Sequence, residues 1–355
     1  MSSSTIDPSV WVTILAGGVG SRFWPVSTPA RPKQLLPLAG DRPLIEDTLA
    51  RARRLVPDER IRILAGADLT RRFIAALPDL HESAYLVEPE ARGTAPVLAW
   101  AAWTLLRTDP DACLVSLHAD HKVDPEEAFT ERLRDAAILA NRERILVTIG
   151  ARPDRPETGY GYVQPGEALP APPAGAARVR AFHEKPDRET ADRYLTEGFL
   201  WNTGIFVWRA DVFLEEVRAH APEVAAALPH LEAGDVDAFF AACTPVTVDV
   251  AVLERSQRVG VLPATFAWDD VGSWASLART RPADASGNVA LGRTVAVESR
   301  DNVVFAEGGA VVLYGVDDLI VVRTGGVTFV TSRGRAPELK ELVSALPPDL
   351  KDPDA

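Results

Sequence analysis

The sequence predicts an α/β domain with a mostly parallel sheet, followed by a small all-β unit and a closing helix. Three observations predict it. Short apolar runs alternate with amphipathic stretches through roughly the first 280 residues, the texture of strands with helices on both faces of a sheet. The apolar runs are short and bounded by Gly, Pro or charge, as suits strands buried on both faces. After about Pro282 the helical stretches stop, and short apolar runs separated by turn residues take over, which signals a small all-β unit.

In chain order, strands are predicted at Trp11 to Ala16, Ile61 to Ala65, Cys113 to Leu117, Ile145 to Ile149 and Ile205 to Trp208. Helices are predicted at Pro43 to Val56, Thr94 to Arg107, Pro125 to Asn141 and Ala210 to Ala219. Asp124 reads as an N-cap, with Pro125 at the first helical position. Gly166 to Ala177 reads as a loop, because Pro and Gly dominate it. Beyond it, Val295 to Val297, Val303 to Phe305, Val311 to Tyr314, Leu319 to Val322 and Val327 to Val330 read as short strands. Their turns are Arg300-Asp301-Asn302, Gly308-Gly309, Asp317-Asp318 and Gly325-Gly326. A last helix is expected at Pro337 to Leu346, then a frayed Pro- and Asp-rich tail, Pro347 to Ala355. The domain boundary falls near residue 284, giving domains 1–284 and 285–355.

Composition narrows the function. With 38 Lys+Arg against 50 Asp+Glu, the net charge of the 355 residues is −12. That argues against a general nucleic-acid binder, which needs a basic face. No apolar run approaches the about 20 residues of a membrane span. Met1 to Asp7 is polar and does not read as a signal peptide. Cys113 and Cys243 form neither metal-ligand spacing nor a disulfide framework, and Cys113 reads as a buried reduced thiol. A cytoplasmic protein is the expectation.

The strongest chemical signal follows the first strand: Leu15-Ala16-Gly17-Gly18-Val19-Gly20-Ser21-Arg22-Phe23-Trp24-Pro25, then Pro32-Lys33-Gln34. Glycines there let backbone N–H groups turn toward a phosphate. The P-loop pattern is missing, and Phe23 stands where a dinucleotide fingerprint needs its third glycine. What remains is a glycine loop with two cations, Arg22 and Lys33, suited to a polyphosphate that reacts.

This stretch resembles the sugar-1-phosphate nucleotidyltransferases, and its Trp-Pro and Pro-Lys-Gln forms resemble the mannose-1-phosphate guanylyltransferases among them. The resemblance implies a Rossmann-like nucleotidyltransferase domain with a mixed sheet and a β-helix-like C-terminal domain. It implies nucleotide binding by Leu15, Ala16, Gly17, Gly18, Gly20, Ser21, Arg22 and Lys33. Glu88-Pro89-Glu90-Ala91-Arg92-Gly93-Thr94-Ala95-Pro96 resembles the family's base segment, with Gly93 in place of Asn. Glu88 is then the carboxylate that accepts from the N1–H and N2–H of guanine, with Arg92, Thr94 and Pro96 beside it. His118-Ala119-Asp120-His121 ends a predicted strand, where doubly wound folds bind ligands. It resembles Pro-Ala-Asp-His, with His118 for Pro. Trp268-Asp269-Asp270-Val271-Gly272-Ser273-Trp274 is similar to the family's second acidic loop. Asp120 and Asp270 are thereby implied as metal ligands. A zinc reading of Asp120-His121 is set aside: no further His stands nearby in a ligand pattern, and phosphates favour a hard, oxygen-liganded Mg²⁺, or Mn²⁺.

On the sugar side, Gly161 follows Thr158-Gly159-Tyr160. Phe182-His183-Glu184-Lys185-Pro186 resembles Phe-Val-Glu-Lys-Pro, and Trp201-Asn202-Thr203-Gly204 resembles Trp-Asn-Ser-Gly. The resemblance implies that Gly161, Glu184, Lys185, Asn202 and Gly204 bind the sugar phosphate, and that Arg22, Lys33 and Lys185 are catalytic. The implied reaction joins GTP and α-D-mannose 1-phosphate into GDP-mannose and pyrophosphate, with Mg²⁺ assisting. The implied partners are those two substrates, with no nucleic acid and no membrane, and a homodimer is left open. Three alternatives stand beside this reading: a nucleotidyltransferase for glucose 1-phosphate or another nucleotide, a silent regulatory homologue that binds sugar nucleotide, and an NAD-dependent oxidoreductase. The missing third glycine disfavours the last.

Overall fold

The computed structural model describes residues 9–18 and 20–351. The polar segment Met1 to Asp7, Val19 and the end of the tail lie outside the described residues. The chain forms two units. One comprises the chain up to Gly17, Ala50–His118 and Val123–Trp268; the other comprises Gly18–Leu49, Ala119–Lys122 and the chain from Asp269 on.

The first unit is built on a nine-stranded sheet. Its spatial order is Tyr85–Glu88, Ile61–Gly66, Ser9–Leu15, Ala112–His118, Leu200–Arg209, Leu146–Ala151, Val259–Pro263, Ala177–Glu184 and Gly161–Ala168. The first four strands are mutually parallel. Leu200–Arg209 runs antiparallel to all three strands it pairs with, Ala112–His118, Leu146–Ala151 and, at Tyr162 and Val163, Gly161–Ala168, so the sheet is mixed. Buried strands of either direction carry the same unbroken apolar runs, which is why the sequence does not separate them. Helix Glu126–Glu143 packs on the central strands, while Thr94–Leu106 packs on Ala210–His220. Thr94–Leu106 is apolar nearly all round, with nine buried side chains, as a helix enclosed by core must be. Trp208, Phe213, Phe239 and Phe240 fill the space beside it. Cys113, in the strand Ala112–His118, is fully buried, and burial pushes its thiol up to about 12, which keeps it inert.

Two expectations for this unit change. Helix Glu126–Glu143 has Pro125 itself as N-cap, in extended geometry, so Asp124 and Pro125 each stand one position earlier than expected. The segment Gly166 to Ala168 is strand, and Gly161–Ala168 pairs with Ala177–Glu184 as a hairpin. Pro165 is tolerated because the register shifts on both sides of it and it lies beyond Tyr162 and Val163, where the strand also pairs with Leu200–Arg209, so its missing N–H costs little.

The second unit gathers the segment after the first strand with the C-terminal strands. Val289–Val297, Val303–Tyr314 and Leu319–Thr324 stack in parallel, and Val327–Ser332 returns antiparallel. Asn302 is fully buried at the turns. It donates to Asn288 Oδ1 (2.9 Å) and Val316 O (3.0 Å) and accepts from Leu319 N (2.9 Å). A buried amide so satisfied fixes the register of successive turns. Gly308-Gly309, expected as a turn, lies inside one continuous strand. Gly292 pairs with Ala306 and Arg293 with Ala310, so Glu307, Gly308 and Gly309 bulge out. Glu307 thereby reaches Arg31 (2.7 Å). The last helix is shorter than expected, Leu339–Ala345, with a 3₁₀ stretch Arg333–Glu338 before it. The tail forms a short helix at Pro348–Lys351 rather than fraying there. Phe23, Trp24, Leu36, Val271 and Trp274 share one core with Val303, Phe305, Ile320 and Phe329. Trp274 is fully buried at its centre, where truncation to Ala costs about 3–5 kcal/mol.

Candidate active site

The first strand ends at Leu15, and Ala16 N donates to Leu64 O. The backbone then leaves the sheet through Gly18 and Gly20, both at positive φ (78° and 77°). At Gly20 a Cβ would stand 2.4 Å from Lys33 Cβ. Glycine is required there by both conformation and space. Gln34 Nε2 donates to Gly18 O (3.0 Å). The Pro-Lys-Gln element therefore clamps the glycine loop, a role the sequence did not reveal. Ser21–Phe23 forms a single 3₁₀ turn that buries Phe23 and leaves Arg22 exposed.

Lys33 is buried, and its ammonium donates to Asp120 Oδ2 (2.8 Å) and Asp270 O (3.2 Å), with the Phe23 ring centroid at 5.5 Å. Two segments 150 positions apart thus meet at one ammonium. The tryptophans of the motifs explain how. Trp274 Nε1 donates to Trp24 O (2.9 Å), and its ring packs edge-on against Phe23 (5.1 Å). Asp269, not Asp270, is the buried structural acid of its loop. It accepts from Val271 N (2.8 Å) and Arg279 Nε (2.7 Å). Val271 sits at φ 46°, a strained conformation for a β-branched residue. Asp270 remains half-buried and accepts from Gly272 N (3.1 Å).

Asp120 and Asp270 are hard oxygen donors in a place that already accommodates one positive charge. That donor set fits Mg²⁺ or Mn²⁺. Along the segment 118–121, ligand atoms of His118, Asp120 and His121 lie within 4.8 Å of one another. A second histidine does stand beside the Asp120-His121 pair, contrary to the premise on which zinc was set aside.

In the first unit, Glu88 closes its strand half-buried, and burial raises its carboxyl above the usual range. Arg92 pairs with Glu90 (2.8 Å). Gly93 caps the helix that follows at φ 87° and ψ 179°, a region essentially reserved for glycine. A Cβ there would meet Val246 O at 2.4 Å. The same carbonyl accepts from Ala95 N (3.2 Å), and Thr94 Oγ1 accepts from Val248 N (2.9 Å). The departure at Gly93 is thus explained by backbone packing, and Pro96 is buried in the helix behind it.

On the sugar side, Gly161 pairs with Glu184 across the hairpin. Lys185, at φ 49°, donates to Glu184 Oε1 (2.5 Å). His183, the departure from Val, points to the other face and stacks on Tyr194 at 5.4 Å. Asn202 and Gly204 lie where Leu200–Arg209 bulges against Leu146–Ala151, between the pairs Thr148 with Phe206 and Gly150 with Asn202. Such bulges re-aim side chains at the ends of regular pairing. His118 packs on Gly204: a Cβ at 204 would lie 2.8 Å from His118 Nε2. Asp249, unremarked in the sequence, accepts from Asn202 Nδ2 (2.8 Å).

Residues 12–287 match the Nucleotidyl transferase family, and residues 292–346 match the MannoseP isomerase/GMP-like beta-helix domain. The chain belongs to the nucleotidyl transferase family. This nucleotidyltransferase is 37% identical over 358 aligned residues to the mannose-1-phosphate guanylyltransferase ManC of Salmonella typhimurium, covering 96% of this chain and 74% of that protein. It is 36% identical to the mannose-1-phosphate guanylyltransferase of Escherichia coli K12, covering 98% and 75%. The crystal structure of a Thermus thermophilus protein named mannose-1-phosphate geranyltransferase superposes with a TM-score of 0.87 at 34% identity, covering 95% of this chain and 98% of that one. No helix among the described residues is long and apolar enough to cross a membrane.

Proposed function

We propose that this nucleotidyltransferase forms GDP-mannose and pyrophosphate from GTP and α-D-mannose 1-phosphate. The observation that carries the reading is the Lys33 ammonium, buried beneath the glycine loop and joined to both acidic segments. A sugar-phosphate oxygen attacks the α-phosphorus in line as pyrophosphate leaves. The nucleophile is already ionised, so no general base is needed, and the task is to hold two anions together. Arg22, Lys33 and the N–H groups of the glycine loop would hold the triphosphate. Glu88 would accept from the guanine edge. Glu184 would receive sugar hydroxyls, and Lys185 would meet the sugar phosphate. Asp120 and Asp270 would hold Mg²⁺ or Mn²⁺, which supplies Lewis-acid stabilisation of phosphate charge when bound. The likeness to guanylyltransferases at 36–37% identity supports the choice of substrates.

Pyrophosphate release over four nucleoside triphosphates and several hexose 1-phosphates tests the reading. GTP with mannose 1-phosphate should give the highest kcat/KM. A win for ATP or dTTP with glucose 1-phosphate would overturn the substrates and leave the reaction class intact. Activity should vanish in EDTA and return with Mg²⁺ or Mn²⁺, and full activity in chelator would remove the metal assignment.

A further inference from the structure

Asn202 was the expected sugar ligand, but its amide is largely committed to the protein. Its Oδ1 accepts from Thr148 Oγ1 (2.8 Å) and Gly204 N (3.3 Å), which fills both lone pairs. One N–H of its Nδ2 goes to Asp249 Oδ1 (2.8 Å). An amide held at both ends is a support for its neighbour. The neighbour is the better ligand. A carboxylate offers about four acceptor sites, of which Asn202 Nδ2 and the backbone N–H of Asp249 itself take two. Asp249 keeps solvent access although protein surrounds it closely. It opens a π-helical turn, Asp249–Leu253, an irregularity that recurs at functional sites.

We propose that Asp249 is a hexose-binding residue whose carboxylate, oriented by Asn202, accepts hydrogen bonds from the hydroxyls of the hexose 1-phosphate. The proposal rests on the sugar-nucleotide reading above and adds a residue to it. The surroundings fit a polyol. From Ala177–Glu184 and the residue after it, the Glu184 carboxylate and the Lys185 ammonium both act electrostatically on Asp249. From Leu200–Arg209 comes the Asn202 amide. From Thr94–Leu106 comes only the Thr94 hydroxyl, engaged with Val248 N. Helix Ala210–His220 also packs on this turn, and its Glu216 is engaged with Ser256 and Arg258. Crowding by protein and then Glu184 lift the Asp249 carboxyl to about 6, opposed first by a hydrogen bond from its own backbone N–H and then by the Asn202 hydrogen bond and Lys185. The acceptor would therefore be fully ionised near pH 8 and protonated near pH 5.

GDP-mannose is the suitable probe, because its diphosphate has no ionisation near pH 6, unlike a phosphomonoester. Its Kd is measured by calorimetry from pH 5 to 8.5 for the wild type and for Asp249→Asn, with Asp249→Ser in reserve should the first variant fail to fold. The expected wild-type affinity falls about 10-fold from pH 7.5 to pH 5, as one proton crosses a pKa near 6. Asp249→Asn should bind 10- to 100-fold more weakly at pH 7.5 and lose that dependence, whereas any titration of Glu88 is common to both proteins and cancels. In turnover the variant should raise the KM for mannose 1-phosphate and leave the KM for GTP unchanged. Equal affinities and parallel profiles would overturn the proposal while the substrate reading stands. Wild-type binding of a different sugar nucleotide would overturn the substrate reading, and the same titrations with that ligand would then decide Asp249. No binding of any sugar nucleotide would overturn both.

Discussion

Lys33 and Lys185 carry the same charge in two differently built regions. The Lys33 side chain is 7% exposed, fixed by Asp120, Asp270 O and the Phe23 ring. The Lys185 side chain is 60% exposed, and its partner is the preceding residue, Glu184. One cation is held inside the protein by three groups; the other stands at the surface, held by one neighbouring carboxylate. Preorganised charge acts where charge develops in a transition state. An exposed, solvated charge contributes mainly to ground-state binding.

The largest expected effect follows for Lys33→Met. The side chain keeps its length and loses its charge where triphosphate charge must be stabilised, so kcat should fall about 100- to 1,000-fold. Steady-state kinetics with each substrate varied in turn will check it. A variant with wild-type kcat and a raised GTP KM would show that preorganisation at Lys33 serves binding alone.

Lys185→Met should be milder and of another kind. One charge-assisted hydrogen bond is worth about 1.5–3 kcal/mol, so the KM for mannose 1-phosphate should rise roughly 10- to 150-fold with kcat nearly kept. An unchanged sugar-phosphate KM together with a crippled GTP KM would mean that the two phosphate sites are exchanged.

The two regions also differ in how far the sequence reveals them. The glycine loop could be read because its constraint is local: a strand, three glycines, then cations at fixed spacing. The meeting of the Asp120 and Asp270 segments rests on Trp274 reaching Trp24 O, a contact across 250 positions that only the fold creates. On the sugar side Asp249 gave no signal. It sits in Thr247-Val248-Asp249-Val250, outside every motif singled out in the sequence, and its role depends on the fold bringing Asn202 to it. The hairpin through Pro165 and Gly166 was hidden for the opposite reason: local composition argued for a loop, and pairing with Ala177–Glu184 overrode it. His118, His183 and Gly93 looked like unexplained departures. Each is accounted for by what it packs on: Gly204, Tyr194 and the Val246 carbonyl.

The last test compares the glycine beside each lysine region. At Gly20 an added Cβ meets Lys33 Cβ at 2.4 Å, close to the backbone of a fixed residue, and φ is +77°. Nothing there can yield cheaply, so Gly20→Ala should lose about 1–3 kcal/mol of stability and lower kcat by displacing Lys33. At Gly161 the nearest atom is Glu184 Oε2 at 2.7 Å, with the Phe182 ring at 3.3 Å, and φ is not positive. Glu184 Oε2 is the far end of a flexible side chain, which can rotate away. Gly161 is buried and the Phe182 ring must give slightly, so Gly161→Ala should cost about 1 kcal/mol, the low end of overpacking, and shift the sugar-phosphate KM only a few-fold, through the moved carboxylate. Urea unfolding of both variants, alongside sugar-phosphate kinetics, makes the measurement. If Gly161→Ala proves as destabilising as Gly20→Ala, the sugar strand is as rigidly built as the phosphate loop, and the contrast between the two lysines loses its structural basis.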